Sequence, residues 1–586
     1  MFMVFVLDSG SAMSPKQTKI VWSIVAFVAI GWLSAPIWGG SGKTDLTASR
    51  TQLLFSEEQA FQTTREFVTR HPKRVLGSIE ARQATGYIRD FLKREGYRVN
   101  PPSYFNAIMA GRRQPGSNVV AFKAGALPEI LAAVAHYDTT RTTVQGAMDD
   151  GSGIGVLLEL ARIFAASPLR HSLLIIASDG EEWGMLGAAD FAQNYPEKRL
   201  IAAVLSLDFV SVGDLAELRL DPDGQGGGYT PGWLRRIAFK AAETQGLPVV
   251  TPSGFQEAIQ RAIDLSLSDQ GPFLHAGIPA INLGSESVNE ARAREVYHSQ
   301  NDTIENMKPA SVGKYGRAAE CILRSVDELA APQPGVDSDF RWRNETYVSG
   351  WAMTLLQCLA FLPFAAMLGF VWQQHRPSLN AGRFLRETTF FLAWFVPFGL
   401  VYSLILFCRL MRLLPQNSLY PGPLKDPMLT PAWGVLAGIL VSAVAVGIGL
   451  HFLARYLTRG LPRSFGASRT ILMTFLLVVV LIAMQYNAYW ASTFLTFPAL
   501  IWGAVGRGRS VGARIIGALA IPAAGFVLYA AAFLSERGLG VGVDFLWYAV
   551  LGLGNGMLLW QGYFLAASAI VLGLRFLSLQ LFSPPE

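Results

Sequence analysis

Histidine and carboxylate side chains recur at the ends of apolar runs in the first half of this 586-residue sequence. His136 and Asp138 end the first run, Glu181 and Glu182 follow the second, and Asp208 ends the third. If each run is a strand of an open α/β sheet, these side chains meet at the carboxyl edge of the sheet, where such sheets bind ligands. Imidazole and carboxylate donors gathered at one edge suit zinc, so the spacing predicts a zinc site with nitrogen and oxygen ligands.

Two loops add donors of the same kind. Asp149 and Asp150 precede Gly151-Ser152-Gly153, and His298 lies in a late polar loop. Cysteine ligands are excluded, because the three cysteines are divided between the polar and the apolar parts of the chain and cannot assemble one site: Cys321, Cys358 and Cys408.

The elements that position these residues alternate along the polar part of the chain. Apolar runs at residues 130–135, 172–177, 201–207 and 278–283 have the length and composition of buried strands. Helical periodicity covers residues 153–166, 184–194 and 231–245. This alternation predicts an α/β domain whose sheet is covered by helices on both faces.

The composition places the rest of the chain in lipid. With 51% hydrophobic and only 16% charged residues, the chain is too apolar for an ordinary soluble protein. We therefore predict a cytoplasmic N-terminus and transmembrane anchor in residues 1–41, an extracytoplasmic domain in residues 42–345, and a transmembrane helical bundle of about seven spans in residues 346–586.

The positive charges predict the orientation of these parts. Lys16 and Lys19 precede the apolar run of residues 20–38, which reads as an uncleaved anchor, with cleavage near Ser34 as an open alternative. Further spans are predicted at residues 350–372, 388–408, 432–453, 470–486, 489–505 and 515–534, and the stretch from 545 has room for one span or two.

The loops between these spans differ in basic residues. Counted from an outside domain, the inside loops carry ten: Arg376, Arg383, Arg386, Arg455, Arg459, Arg463, Arg469, Arg507, Arg509 and Arg514. The outside loops carry four: Arg409, Arg412, Lys425 and Arg537. Because basic loops stay in the cytoplasm, we expect a multi-pass protein of a bacterial inner membrane with residues 42–345 outside the cytoplasm.

The net charge of +6 does not indicate nucleic-acid binding, because the basic residues of the second half lie in short loops between apolar spans. We expect no nucleic acid among the partners. We also expect no Asp, Glu, Lys or Arg in the apolar cores of the predicted spans, whereas an ion-coupled transporter would bury at least one ionisable group there, so a transport role is disfavoured.

Beyond these patterns, residues 60–330 resemble the di-zinc aminopeptidases, family 28 of the metallopeptidases, whose fold also serves the glutaminyl cyclases. The resemblance rests on motifs in the family's order: His71-Pro72 to Gly77-Ser78, residues 81–92, Ala135-His136-Tyr137-Asp138, Asp149-Asp150-Gly151-Ser152-Gly153, Asp179-Gly180-Glu181-Glu182, Leu207-Asp208, Ser268-Asp269, Gly277-Ile278-Pro279-Ala280 and Tyr297-His298. The implied fold is a mixed, mostly parallel sheet flanked by helices, here followed by an all-α membrane bundle.

The resemblance implies a role for each site residue and two Zn²⁺ ions per chain. His136 and Asp208 would bind mainly one zinc, Glu182 and His298 the other, and Asp149 would bridge the two. Glu181 would be the general base, and Asp138 would hold the tautomer of His136, as their spacing on one strand face allows. In the family the bond between Asp149 and Asp150 is often cis.

The resemblance is less specific about the substrate. Asp269 would contact the substrate or lie behind the ligands, but Gln270 stands where the family often has histidine. The implied activity is an aminopeptidase acting on peptides, in a layout similar to the multispanning vacuolar and endoplasmic-reticulum membrane metallopeptidases. Two alternatives stay open, a one-zinc glutaminyl cyclase and a non-catalytic receptor domain. The oligomeric state is not readable from the sequence.

Overall fold

The structure, a computed structural model, describes residues 13–40, 46–101, 103–109, 112–329, 339–411, 413–414, 432–505, 511–535, 545–556 and 558–582. Several positions used to predict the topology lie outside these described residues: Arg412, Lys425, Arg507, Arg509, Arg537 and residues 42–45 at the start of the predicted domain.

A mixed sheet of nine strands forms the centre of the first domain. The strands are β1 (Arg98–Val99), β2 (Ser103–Met109), β3 (Arg112–Lys123), β4 (Leu127–His136), β5 (His171–Ser178), β6 (Ile201–Leu207), β7 (Leu215–Asp221), β8 (Val249–Val250) and β9 (Ala280–Ser287). Their order is β1-β3-β5-β4-β6-β9-β7-β8, and β2 pairs with β3. The central neighbours β5, β4, β6 and β9 run parallel, so their carboxyl ends lie on one edge.

Helices cover both faces of this sheet. They are α2 (Glu57–Arg70), α3 (Ile79–Arg94), α4 (Ser152–Ala166), α5 (Leu186–Asn194), α6 (Gly232–Glu243), α7 (Phe255–Ile263), α8 (Gln270–His275), α9 (Glu290–Val296) and α10 (Pro309–Asp327), and they follow α1 (Pro15–Trp38). Alternate residues of β4 serve the two faces, as strand geometry requires. Leu131 and Ala133 pack in the cluster with α4 and α10, while Ile130 and Val134 pack with α5 and α8.

The predicted fold class is confirmed. The four predicted strands correspond to β4, β5, β6 and β9, and the three predicted helices to α4, α5 and α6. The sequence does not predict the antiparallel ribbon of β2 and β3, because Arg112, Arg113 and Pro115 interrupt the apolar alternation that identifies a strand.

The second half of the chain is helical. Its helices are α11 (Gly350–Leu359), α12 (Leu362–His375), α13 (Ala381–Leu410), α14 (Trp433–Leu457), α15 (Phe465–Tyr486), α16 (Ala488–Ala504), α17 (Val511–Ser535), α18 (Phe545–Asn555) and α19 (Trp560–Phe582). Among the described residues, six helical segments are long and apolar enough to cross a membrane, including α1 and the α11–α12 pair. The last apolar stretch holds two helices, of which the 11-residue α18 is shorter than the roughly 20 residues that span a bilayer.

The prediction that the apolar cores contain no charged side chain is wrong at Arg575, which lies inside the last predicted apolar stretch. Glu387 lies in α13 and Arg575 in α19, and their side chains form a buried ion pair with 2.5 Å between Oε2 and Nη2. Ser468 of α15 donates a hydrogen bond to the same carboxylate at 2.8 Å. Arg469 is also buried, and it donates to the carbonyl of Gly503 in α16. The pattern missed Glu387 and Arg469 because each lies in the first two turns of its helix, before the apolar run begins. Arg575 instead lies within the apolar run of α19, with apolar residues on both sides.

The first domain contacts one end of the bundle. Asn487, the single residue between α15 and α16, donates a side-chain hydrogen bond to the carbonyl of Arg261 at 2.8 Å. Ile259 and Ala262 of α7 are buried in the same apolar cluster as bundle side chains. Since Arg469 lies in the first turns of α15 and Asn487 follows its last residue, the domain and the buried arginine are at opposite ends of this helix.

Candidate metal centre

The predicted site residues are brought together at the carboxyl edge of the parallel strands. His136 is the last residue of β4, Asp208 directly follows β6, and the pair Glu181-Glu182 follows β5 after a short turn. The long connections before α4 and after α9 bring Asp149 and His298 to the same place. Two groups with the donor types and spacing of a metal site result, one of His136, Asp149 and Asp208, the other of Asp149, Glu182 and His298.

Asp149 is the residue common to both groups, and its two oxygens face in different directions. Oδ1 lies 3.1 Å from Nε2 of His136, and Oδ2 lies 2.7 Å from Nε2 of His298. The peptide bond between Asp149 and Asp150 is cis, as the family resemblance implies. One carboxylate placed in this way can contribute an oxygen to each of two neighbouring cations.

The two adjacent glutamates face different parts of the site. They lie in a single 3₁₀ turn between Gly180 and Gly184, both of which have positive φ, a conformation that glycine adopts without strain. Oε2 of Glu182 lies 3.0 Å from Nε2 of His298, and this side chain is only 3% exposed. Oε2 of Glu181 instead lies 3.9 Å from Nε2 of His136, with the side chain 11% exposed. Glu181 is therefore the glutamate with more access to solvent.

Two further carboxylates hold the loops of the site in place through backbone hydrogen bonds. Neither is a predicted metal ligand. Asp302 accepts backbone hydrogen bonds from Met148 at 2.6 Å and from Asp149 at 3.2 Å. Asp150 accepts one from Gly153 at 2.7 Å, which fixes the first turn of α4. These contacts hold the backbone on both sides of the bridging carboxylate.

Arg74 joins the same loop to the end of β4. Its guanidinium is completely buried and donates to the carbonyls of Tyr137 at 2.5 Å, Gln145 at 2.7 Å and Gly146 at 2.9 Å. Burial lowers the pKa of Arg74 to about 10, against the opposing effect of Asp302 and other carboxylates, so it stays charged near neutral pH. Arg74 falls within the first motif of the family resemblance, His71-Pro72 to Gly77-Ser78. That motif does not show which carbonyls the guanidinium contacts.

The charge balance of the site favours cations. Burial raises the pKa of Glu182 to about 7 and that of Asp208 to about 6, and the nearby Asp149 adds to both shifts. Burial lowers the pKa of His298, but Glu182 and Asp149 outweigh it and raise the value to about 10. Glu182 and Asp208 are thus driven to bind protons and the imidazole of His298 to stay positive, which is the behaviour of a site with excess negative charge.

The residues fit bound zinc in their chemistry as well as in their charge. Nε2 of His136 and Oε1 of Glu182 are buried and have no hydrogen-bond partner among the described residues, a costly state that a metal ion would relieve. Neutral imidazole and carboxylate are ligands that zinc accepts.

Asp269 lies beside the site rather than at its mouth. Its side chain is buried, and Oδ2 accepts a hydrogen bond from the hydroxyl of Ser178 at the end of β5. The preceding Ser268 donates to Oδ2 of Asp208 at 2.7 Å, a contact that the sequence does not predict. Contact between Asp269 and a substrate stays a prediction.

Three histidines outside the two groups have other partners. Nδ1 of His171 lies 2.8 Å from Asp327, and Nδ1 of His451 accepts from the indole of Trp394 at 3.2 Å. His275 is exposed and contacts the carbonyl of Gln225 at 3.2 Å.

Comparison with known proteins places the site within a matched domain. Residues 118–322 match the family model described as "Peptidase family M28". The chain is 26% identical over 264 residues to the alkaline phosphatase isozyme conversion protein of Escherichia coli K12, covering 39% of this chain and 74% of that protein. It is 28% identical over 208 residues to aminopeptidase YwaD of Bacillus subtilis, covering 34% of this chain and 41% of that protein.

Two further proteins are similar to this chain over very different shares of their length. A vacuolar membrane protease of Lachancea thermotolerans is 38% identical over 104 residues, which are 17% of this chain and 11% of that protein. The solved structure of a glutaminyl cyclase from Porphyromonas gingivalis aligns with 47% of this chain and 99% of its own, at 23% identity and a TM-score of 0.40. For the aminopeptidase and the vacuolar protease, this chain spans less than half of the relative's length. With the family match and the ordered motifs, the chain carries a zinc metallopeptidase domain of family M28.

Proposed function

We propose that this chain is a membrane-bound zinc aminopeptidase that hydrolyses the N-terminal peptide bond of its substrate with two zinc ions. The observation that carries the proposal is the position of Asp149, whose two oxygens face His136 and His298 separately. A site for one cation would not need a carboxylate shared between two groups of ligands. We assign His136 and Asp208 to one ion, Glu182 and His298 to the other, and Asp149 to both.

When bound, the zinc ions would polarise the scissile carbonyl and lower the pKa of a bound water. Glu181 is the general base in this proposal. Its carboxylate borders the metal positions without belonging to either group of ligands, and it is partly exposed, so it can take a proton and return it to the leaving amine. Asp138 and Ser268 hold His136 and Asp208 in place.

The membrane placement is part of the same proposal. Residues 1–41 would be the cytoplasmic N-terminus and anchor, residues 42–345 the domain outside a bacterial inner membrane, and residues 346–586 the bundle. The contact of Asn487 with Arg261 supports it, because the loop before α15 is rich in arginine and lies at the end away from the domain. Protease added to intact spheroplasts should digest the domain, and sparing of the domain would contradict this topology.

Metal content and hydrolysis, measured on the full chain purified in detergent, test the activity. We expect about two zinc ions per chain and hydrolysis of aminoacyl anilides with a free amino group. The N-acetylated form of the same anilide is the matched control and should not be cleaved. Asp149→Asn should lose both ions, whereas the exposed Asp90→Asn should keep them.

The glutaminyl cyclase alternative gives a different result in the same assays. It would retain one zinc ion and release ammonia from peptides with N-terminal glutamine, while leaving aminoacyl anilides intact. That pattern would overturn the aminopeptidase proposal. A chain that binds zinc but acts on neither type of substrate would support the non-catalytic receptor domain instead.

A further inference from the structure

An open groove of about 600 Å³ lies between the anchor helix α1 and α12. On the α1 side, Ile20, Ile24 and Phe27 form a stripe at helical spacing. On the α12 side the facing residues include Ala365 and Ala366, whose small side chains cannot fill the space between the helices. The groove is therefore a consequence of alanines placed opposite large apolar residues.

The groove extends through about one leaflet of a bilayer. From Lys16 to Phe27, α1 rises by about 16 Å, which is half of a hydrocarbon core of roughly 30 Å. Its walls stay accessible, since Ile20 is 40% exposed and Phe27 is 63% exposed. In a membrane, hydrocarbon must cover these surfaces, and an acyl chain lying along α1 would do so.

One end of the groove carries positive charge. Lys16 and Lys19 line it, and they lie in the first turns of α1 on the same stripe as Ile20. Within the described part of the chain, neither lysine pairs with a carboxylate. An acyl chain along the apolar walls would place a lipid phosphate beside these two ammonium groups.

We propose that this groove, lined by α1 and α12, binds one anionic phospholipid of the cytoplasmic leaflet, with its phosphate held by Lys16 and Lys19. The proposal rests on the membrane placement proposed above, but not on the peptidase activity. Apolar walls alone would accept any phospholipid. The two lysines add selectivity for a headgroup with net negative charge, such as phosphatidylglycerol, over the zwitterionic phosphatidylcholine.

Lipid titration of the full chain, followed by native mass spectrometry, tests this site. Dioleoyl phosphatidylglycerol or dioleoyl phosphatidylcholine is added to the detergent-purified protein, and the copies retained per chain are counted. We expect one phosphatidylglycerol to be retained more tightly than phosphatidylcholine. Lys16→Gln/Lys19→Gln should weaken that binding by about 20- to 30-fold, on the scale of two juxtamembrane lysines, and should leave phosphatidylcholine binding unchanged.

Two further variants distinguish a specific lipid site from nonspecific electrostatic attraction between the protein and anionic lipid. Arg455→Gln/Arg459→Gln removes two exposed charges at the same end of the bundle but outside the groove, and it should keep the tightly bound lipid. Ala365→Trp fills the groove while both lysines remain, and it should abolish the tight site for either lipid. Equal weakening by the two double variants, or full binding by Ala365→Trp, would overturn the proposal.

The controls also separate this proposal from the others. Zinc content and aminopeptidase activity should not change in Lys16→Gln/Lys19→Gln, since both lysines lie in the first turns of α1, outside the groups that form the metal centre. The unmodified chain should stay in membranes washed with alkaline carbonate. Its release would overturn the membrane placement and the groove together, whereas retention without lipid selectivity would overturn the groove alone.

Discussion

Oδ1 of Asp138 lies 3.4 Å from Nδ1 of His136, two residues earlier on the same strand edge. The separation is longer than an ordinary N–H···O hydrogen bond. The same oxygen accepts a hydrogen bond from the backbone N–H of Glu181 at 3.0 Å. One carboxylate thus lies beside Nδ1 of a proposed ligand, whose Nε2 faces Asp149, and also holds the turn that carries the proposed base.

Asp138→Asn should weaken zinc binding, because an amide cannot hold the imidazole proton as a carboxylate does. We expect a loss of about 10- to 100-fold in zinc affinity, as for other groups behind metal ligands. Competition with a chromophoric chelator measures it. Asp90→Asn, an exposed change of the same kind on α3, is the control, and equal affinities in the two variants would contradict the role of Asp138.

The neighbouring glutamates should respond differently to the same substitution. Glu181→Gln should keep zinc and substrate binding but lose about 100-fold or more in turnover, the scale of general acid–base catalysis. Glu182→Gln should lose zinc and activity together and recover partly with added metal, because it weakens a ligand. Zinc per chain measured beside turnover separates the two, and loss of metal from Glu181→Gln would show that the proposed roles are wrong.

The sequence predicted the central strands and the donors that follow them because both signals are local. His136 and Asp208 directly end apolar runs, and an apolar run of strand length is visible in a short window. The family motifs then indicated which of these polar residues belong to one site, although they are far apart in the chain. The site could be predicted because parallel strands place their carboxyl ends on one edge of a sheet.

The supports of the site could not be predicted in the same way, because they join distant parts of the chain. Asp302 accepts hydrogen bonds from Met148 and Asp149, more than 150 residues earlier. Arg74 donates hydrogen bonds to three backbone carbonyls, and the first of these, that of Tyr137, lies 63 residues later in the chain. A buried arginine or aspartate has no periodicity of its own, and its partners depend on the packed fold.

Asp327 should make the stability of the domain depend on pH. Burial raises its pKa, but hydrogen bonds from the His171 ring and from the backbone N–H groups of His171 and Arg170 outweigh burial and hold the pKa below the usual 3.8. The folded state therefore binds the proton less tightly than the unfolded state. The resulting stabilisation is present above pH 4 and is lost as the pH falls through the folded pKa.

Asp327→Asn should accordingly lower the free energy of unfolding by about 1–3 kcal/mol at pH 7, the scale of hydrogen bonds to a charged group. The difference from the unmodified chain should shrink as the pH falls below about 4. Thermal unfolding midpoints in detergent between pH 3 and pH 7 measure this, beside Asp90→Asn. A difference that stays constant over this range would exclude the proposed linkage.

The ion pair of Glu387 with Arg575 joins α13 to α19 across 188 residues, and Ser468 adds α15 to the same contact. The charged groups of the bundle therefore connect three helices near the end away from the peptidase domain. Side chains that are 1% and 7% exposed have little water to replace a lost partner.

Glu387→Gln should destabilise the bundle, because it leaves the buried guanidinium of Arg575 without its countercharge. By the behaviour of buried ion pairs, the loss should be about 3 kcal/mol or more, whereas Glu387→Met/Arg575→Met removes both charges and should be closer to the unmodified chain. Unfolding in mild detergent with increasing dodecyl sulfate compares the three proteins, and Arg459→Gln is the control for removing an exposed charge. If the double variant is as unstable as Glu387→Gln, then packing rather than the unpaired charge explains the loss. If neither variant changes stability, the pair does not hold the three helices together.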